Sequence, residues 1–342
     1  MKLSYVSLDM PFRYPFTISR GTKTHQPTLV VCLEHIGIKG YGEAPEISYY
    51  PVTRKKMIED AQTKRTFIEK FAFTSPDRYW HYLYHVFPQN SFLLCALDIA
   101  SWDLYGKILR KPLYEIWKLD PAKCPQTDYT IGIDTIEKMV EKIKDKPWPI
   151  YKIKLGTPGD LRIMEALRAS TDALFRVDAN AGWSLEEALE IIPRLKDMGV
   201  EFVEQPLAKE NWEGMKILRE KSVLPLIADE SCVAETDVKK CGDYFHGINI
   251  KLTKCGGITP ALRMISHAKD LGLKVMVGSM NETSIGTAAI AQMLPLLDYV
   301  DMDGPLLLKE DIAEGLRFEN GKAVLTASPG LGIIPSPQLQ FN

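Results

Sequence analysis

The sequence has few of the features that mark membrane, exported or nucleic-acid-binding proteins. No apolar run among its 342 residues is long enough to cross a bilayer, because the longest, Phe92–Leu97, stops at Asp98. The N-terminal segment carries Asp9 and Pro11 where an export signal needs an apolar run. Basic residues are not in excess, with 42 Lys and Arg against 44 Asp and Glu, so neither nucleic acid nor an anionic membrane is an expected partner.

Cysteine is sparse and irregularly placed. The six cysteines form no C-x-x-C pair, so neither a zinc cluster nor a disulfide framework is expected. Free thiols suit a reducing compartment, and we therefore expect a cytoplasmic location. A composition of 45% hydrophobic and 25% charged residues is that of an ordinary globular protein, which excludes disorder, collagen-like repeats and a coiled coil.

The first third of the chain predicts a small domain of mixed α and β structure. Leu29–His35 is rich in β-forming residues, and two glycines precede a short partner strand at Tyr41–Glu43. Helical periodicity follows at Arg54–Phe71 and Ser91–Lys107. Three prolines then interrupt the pattern, so we place a domain boundary near Lys123.

From Asp128 onward, short apolar strands alternate with amphipathic helices. The predicted strands are Tyr129–Ile133, Tyr151–Leu155, Phe175–Asp178, Phe202–Glu204, Leu226–Asp229, Gly247–Lys251, Lys274–Val277 and Tyr299–Asp301. Eight parallel βα repeats of roughly 25 residues match a TIM barrel. An open doubly wound sheet is disfavoured because no G-x-G-x-x-G follows the first strand. We therefore predict an α/β protein with a first domain over 1–123, a barrel over 124–309, and a C-terminal return to the first domain at about 310–342.

The ends of three neighbouring strands carry carboxylates. Asp178, Glu204 and Asp229 end the third, fourth and fifth strands, at the barrel face where active sites are found. A single carboxylate there would more simply cap the next helix. Three on adjacent strands favour a hard octahedral cation, namely Mg²⁺, with Mn²⁺ as a substitute.

Two lysines face each other across this predicted metal site. Lys154 ends the second strand and Lys251 the sixth, and Lys152 shares a face with Lys154 because strand side chains alternate. Like charges and partial burial should depress the pKa of a lysine, as a working base requires. If the metal binds a substrate carboxylate, one lysine can remove the α-proton and the other can return a proton to the opposite face. Asp301 and Asp303, opposite the metal, can hold an ammonium group, although such a pair is also common in solvated turns.

These motifs together resemble the muconate-lactonising branch of the enolase superfamily, over nearly the whole chain. The resemblance is carried by Lys152-Ile-Lys154, Asp178-Ala-Asn180, Glu204-Gln-Pro206, Asp229-Glu-Ser231, and Lys251 before Gly256-Gly257. Asp301-Met-Asp303, with Gly278-Ser-Met280 before it, is similar to the dipeptide epimerases of that branch. The resemblance implies an N-terminal α+β capping domain, a modified (β/α)8 barrel and one Mg²⁺ per subunit.

The resemblance also implies a role for individual residues. It assigns acid/base catalysis to Lys154 and Lys251, Mg²⁺ binding to Asp178, Glu204 and Asp229, substrate-carboxylate contact to Lys152, ammonium binding to Asp301 and Asp303, and substrate-lining positions to Thr130, Ser279, Met280 and Asn281. The substrate it implies is a small dipeptide, and the reaction is inversion of the α-carbon of the second residue.

The identity of that second residue stays open. Arg20, in Ile18-Ser-Arg20-Gly21-Thr22, aligns with a capping-loop arginine that meets the inverted residue's side chain in Ala-Glu epimerases. Asn281, however, stands where the Ala-Glu type has an aliphatic residue, and Phe12, Tyr14 and Phe16 make the same loop aromatic. Glutamate and an apolar residue are therefore both candidates.

The sequence thus predicts a Mg²⁺-dependent dipeptide epimerase acting on Ala-Xaa, with cell-wall peptide recycling as an implied context. An N-acyl amino acid racemase, an o-succinylbenzoate synthase or a cycloisomerase would leave Asp301 and Asp303 unexplained, because their substrates lack a free ammonium group. A Schiff-base aldolase using Lys154 or Lys251 would need no metal. A non-catalytic ligand-binding barrel would not need two opposed bases. A homo-oligomer is compatible with this fold class.

Overall fold

A three-stranded antiparallel sheet covered by helices forms the first part of the chain in the computed structural model, which describes residues 1–342. The strands are β1 (Lys2–Ile18), β2 (Gly21–His35) and β3 (Ile38–Pro45). The helices are α1 (Arg54–Thr63), α2 (Arg65–Lys70), α3 (Pro76–Val86), α4 (Ser91–Leu109) and α5 (Leu113–Ile116).

Eight parallel strands follow, in the order that the sequence pattern predicts. They are β4 (Tyr129–Ile131), β5 (Ile150–Lys154), β6 (Leu174–Asp178), β7 (Val200–Glu204), β8 (Leu226–Ala228), β9 (Gly247–Ile250), β10 (Lys274–Gly278) and β11 (Tyr299–Asp301). Each strand pairs with the next one along the chain, and a single parallel bridge between Thr127 and Val300 joins the first to the last. The predicted TIM-type barrel is confirmed, as a nearly closed one.

Helices between the strands surround the barrel. They are α6 (Ile136–Asp145), α7 (Asp160–Arg168), α8 (Leu185–Asp197), α9 (Trp212–Lys221), α10 (Asp237–Tyr244), α11 (Leu252–Cys255), α12 (Ile258–Asp270), α13 (Ser284–Met293) and α14 (Gly304–Leu307). Several begin where a side-chain oxygen caps free backbone N–H groups, and Ser184 and Glu187 form a full capping box at α8. No helix of the protein combines the length and the apolar character that a bilayer crossing requires.

The C-terminal segment packs against both parts of the chain. It forms two small antiparallel pairs from β12 (Ala313–Glu314), β13 (Arg317–Glu319), β14 (Lys322–Val324) and β15 (Ile334–Pro335). The Thr127 N–H, ahead of β4, donates to the Gly321 carbonyl at 2.7 Å, and the Asn342 N–H donates to Tyr5 of β1 at 3.0 Å.

Helix α4 joins the two hydrophobic cores. Leu97 and Leu104 face the core under the antiparallel sheet, whereas Ile99 and Trp102 belong to the core of the barrel. The helix is therefore buried on nearly every side, beyond the single apolar stripe that its sequence periodicity predicted. At Gly42, β3 lies so close to the α4 backbone that a Cβ would collide with the Ala96 carbonyl.

The first two strands form a long hairpin, of which the sequence analysis predicted only the segment Leu29–His35. β1 and β2, called the capping hairpin below, pair from Lys2–Glu34 to Ile18–Gly21, with a register shift between Pro11 and Phe16. The hairpin reaches the barrel, where the Thr17 carbonyl accepts the Ile133 N–H at 2.9 Å. A second difference concerns the single helix predicted over 54–71, which is two helices separated at Lys64.

Candidate functional site

Three buried carboxylates meet at the carboxyl ends of adjacent barrel strands. Asp178 ends β6, Glu204 ends β7, and Asp229 directly follows β8. One oxygen from each lies within 4.8 Å of the others, and all three side chains are buried. Parallel strands end at one edge of the barrel, so neighbouring strand ends bring these residues together, as the sequence predicted.

This carboxylate cluster has unused capacity for a cation. Glu204 Oε1 accepts a hydrogen bond from Asn249 Nδ2 at 2.8 Å, whereas Oε2 is buried without a hydrogen-bond partner. Burial, assisted by the charge of Asp178, raises the pKa of Glu204 to about 8. The three clustered carboxylates supply the hard oxygen donors that a divalent cation such as Mg²⁺ prefers.

The two lysines predicted to act as acid and base flank the cluster. Lys154 Nζ lies 2.6 Å from Asp178 Oδ2, and Lys251 Nζ lies 3.1 Å from Asp229 Oδ2. Each lysine thus sits beside an outer carboxylate, with Glu204 between them. This is the arrangement expected when two groups approach one substrate carbon from opposite faces.

The pKa values of Lys251 and Lys152 differ from the sequence expectation. Burial alone would lower the pKa of Lys251, but the adjacent Asp229 carboxylate raises it above its usual value. The pKa of Lys152 is likewise held well above normal, because burial is outweighed by carboxylates, chiefly that of Asp301. The expectation counted like charge and burial, whereas the carboxylates beside the Lys152 and Lys251 ammonium groups have the larger effect on their pKa values.

Lys152 lies beneath the cluster. Its Nζ is 2.8 Å from Asp301 Oδ2 and 2.8 Å from Glu204 Oε2, the latter without hydrogen-bond alignment, and the side chain is fully buried. Burial alone would raise the pKa of Asp301, but the charge of Lys152 lowers it to about 2. The second oxygen of Asp301, Oδ1, is buried with no hydrogen-bond partner.

Asp303 occupies a different position from Asp301. Its Oδ2 accepts the backbone N–H of Thr130 at 2.6 Å, which ties the end of β11 to β4. Burial, together with the charge of Asp301, raises its pKa well above normal. Thr130 faces the cavity, whereas Asp303 does not contribute to the cavity wall.

A cavity of about 430 Å³ lies over these groups, between the barrel mouth and the capping hairpin. Most of the predicted site residues line it: Arg20, Thr130, Lys154, Asp229, Lys251, Ser279, Met280, Asn281 and Asp301. The other four lie outside its wall: Lys152, Asp178, Glu204 and Asp303. Its apolar side includes Phe16, Ile18 and Tyr50, so the space has both a charged floor and an apolar wall.

Arg20 reaches from the capping hairpin to the barrel. Its Nη2 lies 2.6 Å from Glu230 Oε1, its Nη1 donates to the Asn180 carbonyl at 3.2 Å, and its guanidinium stacks 4.4 Å from the ring centre of Tyr49. The sequence analysis named Arg20 but not these partners. Glu230 was detectable in principle, since it follows Asp229 directly in the quoted motif.

Lys254 is a second residue that the sequence analysis missed. Its fully buried Nζ donates to Asp229 Oδ1 at 2.7 Å and to the backbone carbonyls of Asp229, Cys232 and Asn249. The ion pair fixes one oxygen of Asp229 and leaves the other toward Lys251. Its only sequence signal was its position three residues after Lys251.

Comparison with known families places both parts of the chain in one group of proteins. Residues 2–117 match a family model described as mandelate racemase / muconate lactonizing enzyme, N-terminal domain. Residues 134–339 match a model described as enolase C-terminal domain-like.

Individual relatives are similar over nearly the full chain. An L-Ala-D/L-amino acid epimerase of a Maribacter species is 52% identical, covering 97% of this chain and 99% of that protein. A hydrophobic dipeptide epimerase of Roseobacter litoralis is 34% identical, covering 97% and 98%. The crystal structure of a dipeptide epimerase from Cytophaga hutchinsonii, complexed with Mg and the dipeptide D-Ala-L-Val, has a TM-score of 0.90 at 27% identity, covering 98% of this chain and 96% of that one.

Proposed function

The chain belongs to the mandelate racemase / muconate lactonizing enzyme family of the enolase superfamily, and we propose that it is a magnesium-dependent epimerase of Ala-Xaa dipeptides. The observation that carries this proposal is the pair Lys154 and Lys251 on either side of a carboxylate cluster, at the floor of a partly enclosed cavity. Two opposed acid/base groups can invert a carbon centre, because one removes a proton from one face and the other returns a proton to the opposite face.

In the proposed reaction the two lysines exchange protons with one α-carbon. The dipeptide's α-carboxylate lies toward Asp178, Glu204 and Asp229, which would hold the metal. Mg²⁺, when bound, offsets the negative charge that develops on that carboxylate. One lysine takes the α-proton of the second residue, and the other delivers a proton to the opposite face, so the configuration inverts.

Asp301 suits the other end of the dipeptide. Asp301 lines the cavity and its buried Oδ1 has no hydrogen-bond partner, which a free ammonium group would supply. We propose that Asp303 contributes to this end by fixing Thr130 in the wall. This assignment favours dipeptides over N-acyl amino acids, which carry no ammonium group.

The cavity supports a range of second residues. Phe16, Ile18 and Tyr50 offer an apolar surface beside the reacting carbon, which suits leucine-like or aromatic side chains.

We also propose that the protein works in the cytoplasm on peptides released from the cell wall. The compartment is supported by the six cysteines, all of which are free thiols.

The test is α-proton exchange in deuterated water with Mg²⁺ and a panel of Ala-Xaa dipeptides, read by mass spectrometry. The expected result is incorporation of one deuterium at the second residue of several dipeptides. Matched N-succinyl amino acids, which lack the ammonium group, serve as the comparison and should exchange far more slowly.

Two outcomes would overturn the proposal. One is the absence of exchange in every dipeptide while calorimetry shows Mg²⁺ bound. The other is faster exchange in N-succinyl amino acids than in dipeptides, which would assign the protein to racemisation of N-acyl substrates.

A further inference from the structure

The cations that line the cavity are not equivalent. Four basic side chains contribute to the wall: Arg20, Lys23, Lys154 and Lys251. Arg20 is paired with Glu230, Lys154 with Asp178, and Lys251 with Asp229, all within 3.1 Å. Lys23 has no carboxylate within 4.0 Å and makes no side-chain hydrogen bond, so it is the cavity's one basic side chain without a partner.

Arg20 is poorly placed to receive an acidic substrate side chain, because its guanidinium is already engaged. Glu230, only 2% exposed, holds it at 2.6 Å, and Tyr49 covers one face. Glu230 Oε2 has no hydrogen-bond partner of its own. A substrate carboxylate that displaced Glu230 would leave a buried carboxylate without its cation, which is strongly unfavourable.

Lys23 is free to take that role. It lies on β2 of the capping hairpin, directly opposite Phe16 of β1. Burial lowers its pKa, with the more distant Glu46 opposing that effect, so the ammonium group is poorly compensated where it stands. An arriving carboxylate would form a charge-assisted hydrogen bond in a partly enclosed space, where such bonds are stronger than at an open surface.

We propose that Lys23, rather than Arg20, receives the side-chain carboxylate when the second residue of the dipeptide is acidic. Phe16 and Ile18 beside it provide the surface for apolar second residues, so one pocket serves both classes. The inference rests on the proposed dipeptide epimerase function. It leaves Arg20 as a residue that fastens the capping hairpin to the barrel.

The test compares kcat/KM for L-Ala-L-Glu and L-Ala-L-Leu in the wild type and in Lys23→Met, Lys23→Arg and Arg20→Met. Lys23→Met should lose about tenfold or more on L-Ala-L-Glu, mainly through KM, and change less than about twofold on L-Ala-L-Leu. Lys23→Arg should retain most of the turnover of L-Ala-L-Glu. The exposed lysine of the same sheet, Lys39, provides the matched control Lys39→Met, which should alter neither substrate.

Other results would assign a different role to Lys23 or to Arg20. Equal losses on both dipeptides in Lys23→Met would show a structural role, and a selective loss of L-Ala-L-Glu in Arg20→Met alone would make Arg20 the receptor. Turnover of L-Ala-L-Leu without any turnover of L-Ala-L-Glu would overturn the inference and leave the proposed function standing. Turnover of neither dipeptide, nor of any other Ala-Xaa, would overturn the proposed function itself.

Discussion

The two-lysine arrangement predicts an asymmetric defect when either lysine is removed. In Lys251→Met, Lys154 can still remove the α-proton from one face, but no group remains to protonate the other. Lys154→Met should show the converse. Each variant should therefore lose epimerisation while still exchanging the α-proton of one stereoisomer, and the two variants should select opposite isomers.

The structure sets the size of the effect and indicates that both variants fold. Loss of a positioned acid or base lowers the rate by about 10²–10⁴-fold. Asp229 keeps Lys254 at 2.7 Å in Lys251→Met, and Asp178 keeps Lys152 at 3.3 Å in Lys154→Met. Neither carboxylate is left without a cation. Breaking a buried ion pair completely costs about 3–5 kcal/mol, so the free energy of unfolding should fall by less than this in either variant.

The assay follows L-Ala-L-Leu and L-Ala-D-Leu separately in deuterated water. Proton NMR measures loss of the α-proton signal, and chiral chromatography measures inversion. If both variants exchange the same isomer, or if either epimerises within tenfold of the wild type, the assignment of opposed bases is wrong. Circular dichroism of each variant, compared with Lys39→Met, checks that the fold is intact.

Three further changes have defined outcomes. Lys254→Met should lower the free energy of unfolding in urea by about 1–3 kcal/mol, because three buried backbone carbonyls lose their donor while Asp229 keeps Lys251 at 3.1 Å; a loss equal to that of Lys39→Met would contradict this. Glu204→Gln should weaken Mg²⁺ binding by at least about tenfold in calorimetry, and unchanged affinity would remove Glu204 from the proposed ligand set. Asp301→Asn should lower kcat/KM for dipeptides by an amount equivalent to about 2 kcal/mol or more, chiefly by raising KM, and should spare any residual turnover of N-succinyl amino acids. Equal losses on both substrate classes would argue against ammonium binding.

The barrel and the relative positions of its charged strand ends were predictable because both depend on local patterns. Short apolar segments at regular spacing predict parallel strands, and parallel strands necessarily bring their ends together. Asp178 and Glu204 were therefore placed side by side from their positions at the ends of β6 and β7. The catalytic and metal-binding roles of these residues remain predictions that the variants above test.

The capping hairpin was not predictable in the same way. Pro11 and Pro15 interrupt β1, and the polar run at the start of β2 lacks the apolar alternation of a typical strand. Its role comes from contacts with distant segments, such as Arg20 with Glu230, 210 residues away along the chain. The raised pKa of Lys251 had the same origin, since it depends on how closely carboxylates from other strands approach.

The division of the cavity between two distant parts of the chain bears on how this protein can evolve. The reacting groups belong to an interlocked buried ion network, in which changing Lys152 would disturb three carboxylates at once. Lys23 and Phe16 belong instead to the capping hairpin, where a substitution alters the cavity wall without breaking that network. Substitutions in the capping hairpin can therefore change which substrates fit the cavity while the reacting groups stay in place.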